Sequence, residues 1–161
     1  MGISTPLRFG SERPESEIAL ELIRQLDADL GERYPDEWIH GLHPEDTIDP
    51  KLLFVVAHLG DQPIGCGALR PLEPGATELK RMYVKPGFRG QGFARQLLAY
   101  LELKAYESGF FVIRLETGSK QPEAIGLYES AGYHPIPPYG EYVGNPFSVC
   151  FEKRLNEQIP E

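Results

Sequence analysis

Apolar residues at Ile18, Leu22, Ile23, Leu26 and Leu30 return every three or four positions. That is the period of a helix burying one stripe, and it predicts a helix over residues 15–31. Before it, residues 7–9 read as a short strand; after it, residues 32–50 lose periodicity. The run LLFVVAHL (52–59) is rich in branched residues and is followed, after a GDQP turn, by IGCGAL (64–69), so the two predict a hairpin. A Glu73-Pro74-Gly75 turn leads into TELKRMYV (77–84), whose alternation suits a third antiparallel strand. Downstream, Ala94, Leu97, Leu98, Leu101 and Ala105 mark one face of a long helix ending near Gly109, and FFVIRLET (110–117) reads as a strand. Pro122 suits the first turn of a further helix, with Ala124, Leu127, Tyr128 and Ala131 on one face and Gly132 placed to end it. Residues 133–138 and 147–153 complete the series as strands. The order β-α-β-β-β-α-β-α-β-β mixes hairpins with at least one helical crossover, which predicts an α/β (α+β) fold on a mixed, twisted sheet.

Composition narrows the class. The 161 residues suit one domain, expected to span 1–161. With 41% hydrophobic and 25% charged residues the chain can both bury a core and stay dissolved. Its longest apolar run, six residues at 52–57, falls far short of the roughly 20 a spanning helix needs, so no membrane span is expected. The first ten residues lack a secretory apolar stretch, and Pro6 occupies the place a myristoylation pattern gives to Ser or Thr. A cytoplasmic location is therefore expected. Sixteen basic against 24 acidic residues give a net charge of −8, the wrong sign for neutralising phosphates along a nucleic acid. Much of the excess lies in residues 32–50, where Glu32, Asp36, Glu37, Glu45, Asp46 and Asp49 face only Arg33. Cys66 and Cys150 stand far apart among apolar neighbours and read as buried thiols. His40 and His43 have metal-like spacing but no evident third ligand, and no metal is expected.

The densest chemical signal is the segment VKPGFRGQGFA (84–94), between a strand and a long helix. Glycines there let peptide N–H groups approach a ligand closely. The unpaired N–H groups and positive dipole end of the helix favour an anion such as a pyrophosphate, to which Arg89 could add a charged contact. A nucleoside-triphosphate loop would need Gly-Lys followed by Ser or Thr, which is absent, and a dinucleotide fingerprint would need glycine where Arg95 stands.

RGQGFA (Arg89, Gly90, Gln91, Gly92, Phe93, Ala94) resembles the Arg/Gln-x-x-Gly-x-Gly/Ala signature of the GNAT superfamily of acyl-CoA-dependent N-acyltransferases. MYVKP (82–86) matches the strand end that precedes it there, and AIGLYESAGY (124–133) is similar to a later family motif; the matched region with its flanks runs over 52–155. Gln121 departs from the asparagine common at its place. The resemblance implies a twisted sheet flanked by helices and an acetyl-CoA co-substrate whose pyrophosphate lies on the amides of residues 89–94. It also implies a pantetheine arm between strands 77–84 and 110–117, with Met82 and Val84 offering main-chain contacts, in the manner of an added strand.

Acyl transfer to an amine needs a neutral amine, a stabilised oxyanion and a proton for the departing thiolate. Tyr128, a phenol protonated at neutral pH, is the candidate acid, with plain packing as its other reading. A peptide N–H near Tyr83 or Val84, released by a bulge, is the candidate oxyanion donor. Glu78, expected by alternation to share a face with Lys80, Met82 and Val84, is either the base or an ion-pair partner of Lys80 or Arg81; Glu116 is the second candidate base. Residues 32–50 and 139–145 are expected to shape the acceptor pocket, with Trp38, Tyr139 and Tyr142 packing its apolar part and acidic residues drawing a cationic amine. The expected activity is N-acetyl transfer by direct attack onto a small or protein amine. The alternative is a non-catalytic acyl-CoA-binding module, and a homodimer is a candidate assembly through a free sheet edge.

Overall fold

Strand β2 (Leu53–Leu59) explains why its sequence is apolar from Leu53 to Ala57: Phe54 and Val56 face one side of the sheet and Val55 and Ala57 the other, and both sides are covered. The computed structural model describes residues 6–155. The signal and myristoylation readings rest on residues 1–10, of which 1–5 lie outside that range.

Seven strands form one sheet in the order β1-β2-β3-β4-β5-β7-β6. They are β1 (Leu7–Glu12), β2, β3 (Gln62–Glu73), β4 (Ala76–Val84), β5 (Val112–Gly118), β6 (His134–Ile136) and β7 (Ser148–Arg154). All neighbours are antiparallel except β4 and β5, which run parallel through the crossover helix. The mixed sheet and element order agree with the sequence pattern. Strand β3 extends beyond the predicted 64–69 at both ends, and β5 begins two residues later than predicted.

Helix α1 (Glu17–Gly31) covers one face. Ser16 caps it by accepting the Ala19 N–H, and Ala19, Leu22 and Leu26 bury its apolar stripe against Phe54, Val56, Cys66, Ala68 and Tyr83. The opposite face carries α3 (Phe93–Glu107), buried through Leu97, Leu98, Leu101 and Ala105, and α4 (Pro122–Ser130), entered through Pro122. The aperiodic stretch after α1 holds a 3₁₀ turn at Asp36–Trp38 and a single-turn helix α2 (Pro44–Thr47), too short for periodicity to announce. No helix among the described residues is long and apolar enough to cross a membrane.

Two departures from regular pairing shape the sheet. Strands β4 and β5 pair only from Ala76 with Val112 to Leu79 with Leu115, and beyond that they part. In the parting stretch β4 is bulged: Arg81 and Met82 together oppose Gly67, since Cys66 pairs with Tyr83 and Ala68 with Lys80. Arg81 takes the left-handed backbone region, φ 58°, unusual for a residue with a side chain. The alternation expected for β4 fails here. Leu79 and Met82, three residues apart, both approach Gly67 from the α3 side, so Met82 does not share the face of Glu78 and Lys80.

Candidate active site

The parted strands open a cleft of about 340 Å³, lined on one side by α3 and α4 and on the other by α1 and the segment after it. Its first half is built at the start of α3. Gly90 (φ 78°) and Gly92 (φ 84°) hold left-handed conformations that turn the chain into the helix. Gln96 is the first residue whose N–H reaches back, to the Gly92 carbonyl at 3.1 Å, and no side chain caps the helix. The N–H groups of Phe93, Ala94 and Arg95 are therefore without helical partners. A side-chain carbon built on Gly87, Gly90 or Gly92 would meet nothing within 4 Å, so the loop borders open space with room for a polyanion.

Gly90 and Ala94 line the cleft; Gln91, Gly92 and Phe93 do not, and Phe93 packs toward the core. Arg89 lines it too, but its guanidinium is engaged. Nε donates to the Val84 carbonyl at 2.8 Å, and Nη2 stands 3.6 Å from Asp29, which fastens the loop to the end of β4. Met82, Tyr83 and Val84 line the opening between the strands. Gln121, just before α4, accepts from the Tyr34 hydroxyl and the Gly118 N–H through Oε1, each at 3.3 Å, and so closes the turn after β5.

Tyr128 is buried on the cleft wall, edge-on to Tyr133 at 5.7 Å between ring centroids. Its hydroxyl has no hydrogen-bond partner among the described residues. Burial, and then the charge of Glu116, push its pKa well above the ordinary phenol value. Glu116 also lines the cleft; burial pushes its carboxyl up to about 7, against the opposing effects of the Ser148 hydroxyl, which donates at 2.6 Å, and Lys80.

Glu78 lies elsewhere. It is fully buried, does not line the cleft, and accepts from Arg70 at 2.7 and 3.0 Å and from the Tyr139 hydroxyl at 2.6 Å. Its partner is thus Arg70, directly across in β3, and Lys80 stands off at 4.0 Å. Register counted from the Glu73-Pro74-Gly75 turn would set Pro71 opposite Glu78, and the irregularity between Pro71 and Glu73 brings Arg70 there instead.

On the other side of the cleft, Tyr34, Trp38, Ile39 and His40 follow α1, and Tyr142 and Phe147 face them from the segment joining β6 to β7. Trp38 and Tyr142 line it as expected; Tyr139 is turned to Glu78. The six acidic residues of 32–50 do not line the cleft, and four of them, Glu32, Asp36, Glu37 and Glu45, are exposed. His40 Nδ1 and His43 Nε2 both meet Glu141, at 3.0 and 2.9 Å, which ties the two segments together. That hydrogen bond raises the His43 pKa. These histidines join no metal-holding group among the described residues. Sequence reading missed Lys80 and Arg81 as cleft residues, and Ser148 as the partner of Glu116, because long-range placement decides all three.

The description "acetyltransferase (GNAT) family" belongs to the family model that matches residues 20–133. The chain is 37% identical over 145 residues to the IAA acetyltransferase of Azospirillum brasilense, covering 89% of this chain and 95% of that one. A solved Klebsiella pneumoniae structure described as an acyl-CoA N-acyltransferase superposes with a TM-score of 0.79 at 32% identity, over 94% of this chain and 99% of its own. The same fold recurs in a GNAT acetyltransferase from Elizabethkingia anophelis with acetyl-CoA bound, at a TM-score of 0.67 and 18% identity, over 92% of this chain and 98% of that one.

Proposed function

Since this chain belongs to the acetyltransferase (GNAT) family, we propose that it moves an acetyl group from acetyl-CoA to an amine by direct attack, the two substrates meeting where β4 and β5 part. The observation that carries this reading is the continuity of one cleft from the uncapped start of α3, past Tyr128 and Glu116, to the aromatic wall around Trp38.

The amides of residues 89–94 hold the pyrophosphate of acetyl-CoA. Arg89 keeps that loop in place through Val84 rather than serving chiefly as an anion contact. Beyond Leu79 the edge of β4 that faces β5 has no strand partner. Met82 and Val84 can therefore pair with the amide-bearing pantetheine arm as a strand would. The bulge at Arg81 and Met82 turns main chain near Tyr83 and Val84 out of register, and a peptide N–H there stabilises the oxyanion. With its Oε1 engaged, Gln121 retains its amide N–H donors for the cofactor.

Glu116 replaces Glu78 as the base, because it reaches the cleft while Glu78 is locked by Arg70 and Tyr139. The amine nitrogen bonds to the thioester carbonyl carbon and gives its proton to Glu116, directly or through water. As the tetrahedral intermediate collapses the carbon–sulfur bond breaks, and Tyr128 gives its proton to the leaving thiolate. Neither cysteine lines the cleft, and burial pushes Cys66 up to about 12 and Cys150 up to about 11, which disfavours a covalent enzyme intermediate.

Thiol release from acetyl-CoA across a panel of amines tests the activity, and Tyr128→Phe tests the acid. The expected result is amine-dependent thiol release that drops about 10²-fold or more in the variant with unchanged acetyl-CoA affinity. Release no faster than background hydrolysis with every amine would leave a binding module instead, and an undiminished Tyr128→Phe rate would remove that phenol from the chemistry.

A further inference from the structure

The bulge in β4 does more than release main chain. In a regular strand two successive side chains point to opposite faces. Here Lys80 and Arg81 are both buried, Lys80 lining the cleft and Arg81 carrying its guanidinium to Asp27 and Gly41, where it lines a second hollow. Lys80 Nζ donates to the Tyr142 hydroxyl at 2.9 Å. The nearest carboxylates, of Glu78 and Glu141, stand 4.0 Å away, beyond hydrogen-bonding reach, and each is already engaged. Glu78 is held by Arg70 and Tyr139, and Glu141 by His40 and His43.

An ammonium carries three donors. Two of those on Lys80 thus have no acceptor among the described residues, although its side chain is only 3% exposed. Buried donors left unsatisfied are costly, and a charged one most of all. Arg81 offers no such donors to the cleft: Nη2 pairs with Asp27, and the guanidinium lies against Gly41. Desolvation pulls the Lys80 pKa down, the direction expected of a cation short of anionic partners. Glu116, the remaining carboxyl in this part of the cleft, is held up near 7 by burial and so opposes an incoming anion less than an ordinary glutamate would. Tyr34, Trp38 and Phe147 wall the space in front of these groups.

We propose that Lys80 forms a carboxylate-binding subsite, so that the acceptor is an α-amino acid with an apolar or aromatic side chain rather than a simple alkylamine or a protein lysine. The carboxylate takes the uncommitted N–H groups, the side chain rests against Trp38 and Phe147, and the amine faces Glu116. The amine's part rests on the acetyl-transfer reading; the carboxylate's part rests on Lys80 alone.

Matched product pairs test it on the wild-type protein with coenzyme A present: N-acetyl-L-tryptophan against N-acetyltryptamine, and N-acetyl-L-phenylalanine against N-acetylphenethylamine, by calorimetry. Charge-assisted hydrogen bonds predict tighter binding of the carboxylate member by on the order of 10- to 100-fold. The preference should collapse toward one in Lys80→Met and largely survive in Lys80→Arg. A wild-type ratio within about twofold of one in both pairs, whether the members bind alike or fail alike, overturns the subsite. So does an undiminished preference in folded Lys80→Met. If Lys80→Met does not fold, the wild-type ratios decide. Thiol release is scored separately: a carboxylate preference in binding without release from any amino acid would sink acetyl transfer and leave the subsite standing, and release without the preference would do the reverse.

Discussion

At the level of single residues, burial moves Glu116 and Lys80 in opposite senses and brings both nearer to neutrality, which suits a floor where protons change hands. For Glu116 the consequence is a pH profile. The base must be ionised, so with its pKa near 7 the carboxylate is lost to protonation as pH falls through that value. The expected kcat/KM therefore rises with pH through about 7 and levels above it, apart from the acceptor amine's own titration. Glu116→Gln should cost about 10²-fold in kcat and erase the rise near 7. Steady-state rates between pH 5.5 and 9 check this, and a rise that persists unchanged in the variant assigns the base elsewhere. The proton donor has no such limb, because burial holds the Tyr128 phenol protonated throughout that range.

Among the elements, the turn from β5 into α4 is held by a close approach that only a bare Cα allows. A side-chain carbon at Gly118 would lie 1.8 Å from the Tyr34 hydroxyl, which itself donates to Gln121 and accepts from the Lys120 N–H. Gly118→Ala should displace Tyr34 and cost about 1–3 kcal/mol, read as a lower midpoint in urea unfolding; an unchanged midpoint would show that Tyr34 yields freely. Such a contact joins residues 34, 118 and 121 across the chain, and no local pattern in the sequence announces it. The loop at Arg89 to Ala94 was legible for the contrary reason: its positive-φ glycines and the start of α3 lie within a few adjacent positions. Tyr128 was legible through its motif and its helical neighbours. The bulge was expected near Tyr83 or Val84, but its place was not legible, since Arg81 carries none of the glycine signature that left-handed backbone usually shows. That one inserted residue moved Met82 off the face of Glu78, whereas Glu78 itself was lost as a base to Arg70 and Tyr139. Glu116 and Ser148 meet only because β5 pairs with β7, a register that depends on where both strands begin.

Across the whole molecule, the two faces of the sheet carry separate apolar clusters, and the two thiols are enclosed with the core: Cys66 beside α1, and Cys150 on β7. With burial holding Cys66 near 12, its thiolate fraction at pH 8 is roughly one part in ten thousand. Iodoacetamide should therefore label Cys66 only as fast as the protein unfolds, with labelling and loss of circular dichroism sharing one urea midpoint. Labelling at the speed of a free thiol without denaturant would mean that the α1 layer opens independently. The sheet is less uniform than its seven strands suggest. Among the described residues the β1–β4 slab joins the β5–β7 slab through rungs 76–79 with 112–115 and the Gly75 carbonyl, and past Leu79 the gap is spanned by side-chain contacts such as Lys80 with Tyr142 and by helix packing. The seam closes one end of a wedge-shaped mouth, so a donor bearing amides on both flanks would act as a rivet, and the protein's stiffness would be greatest with such a donor aboard.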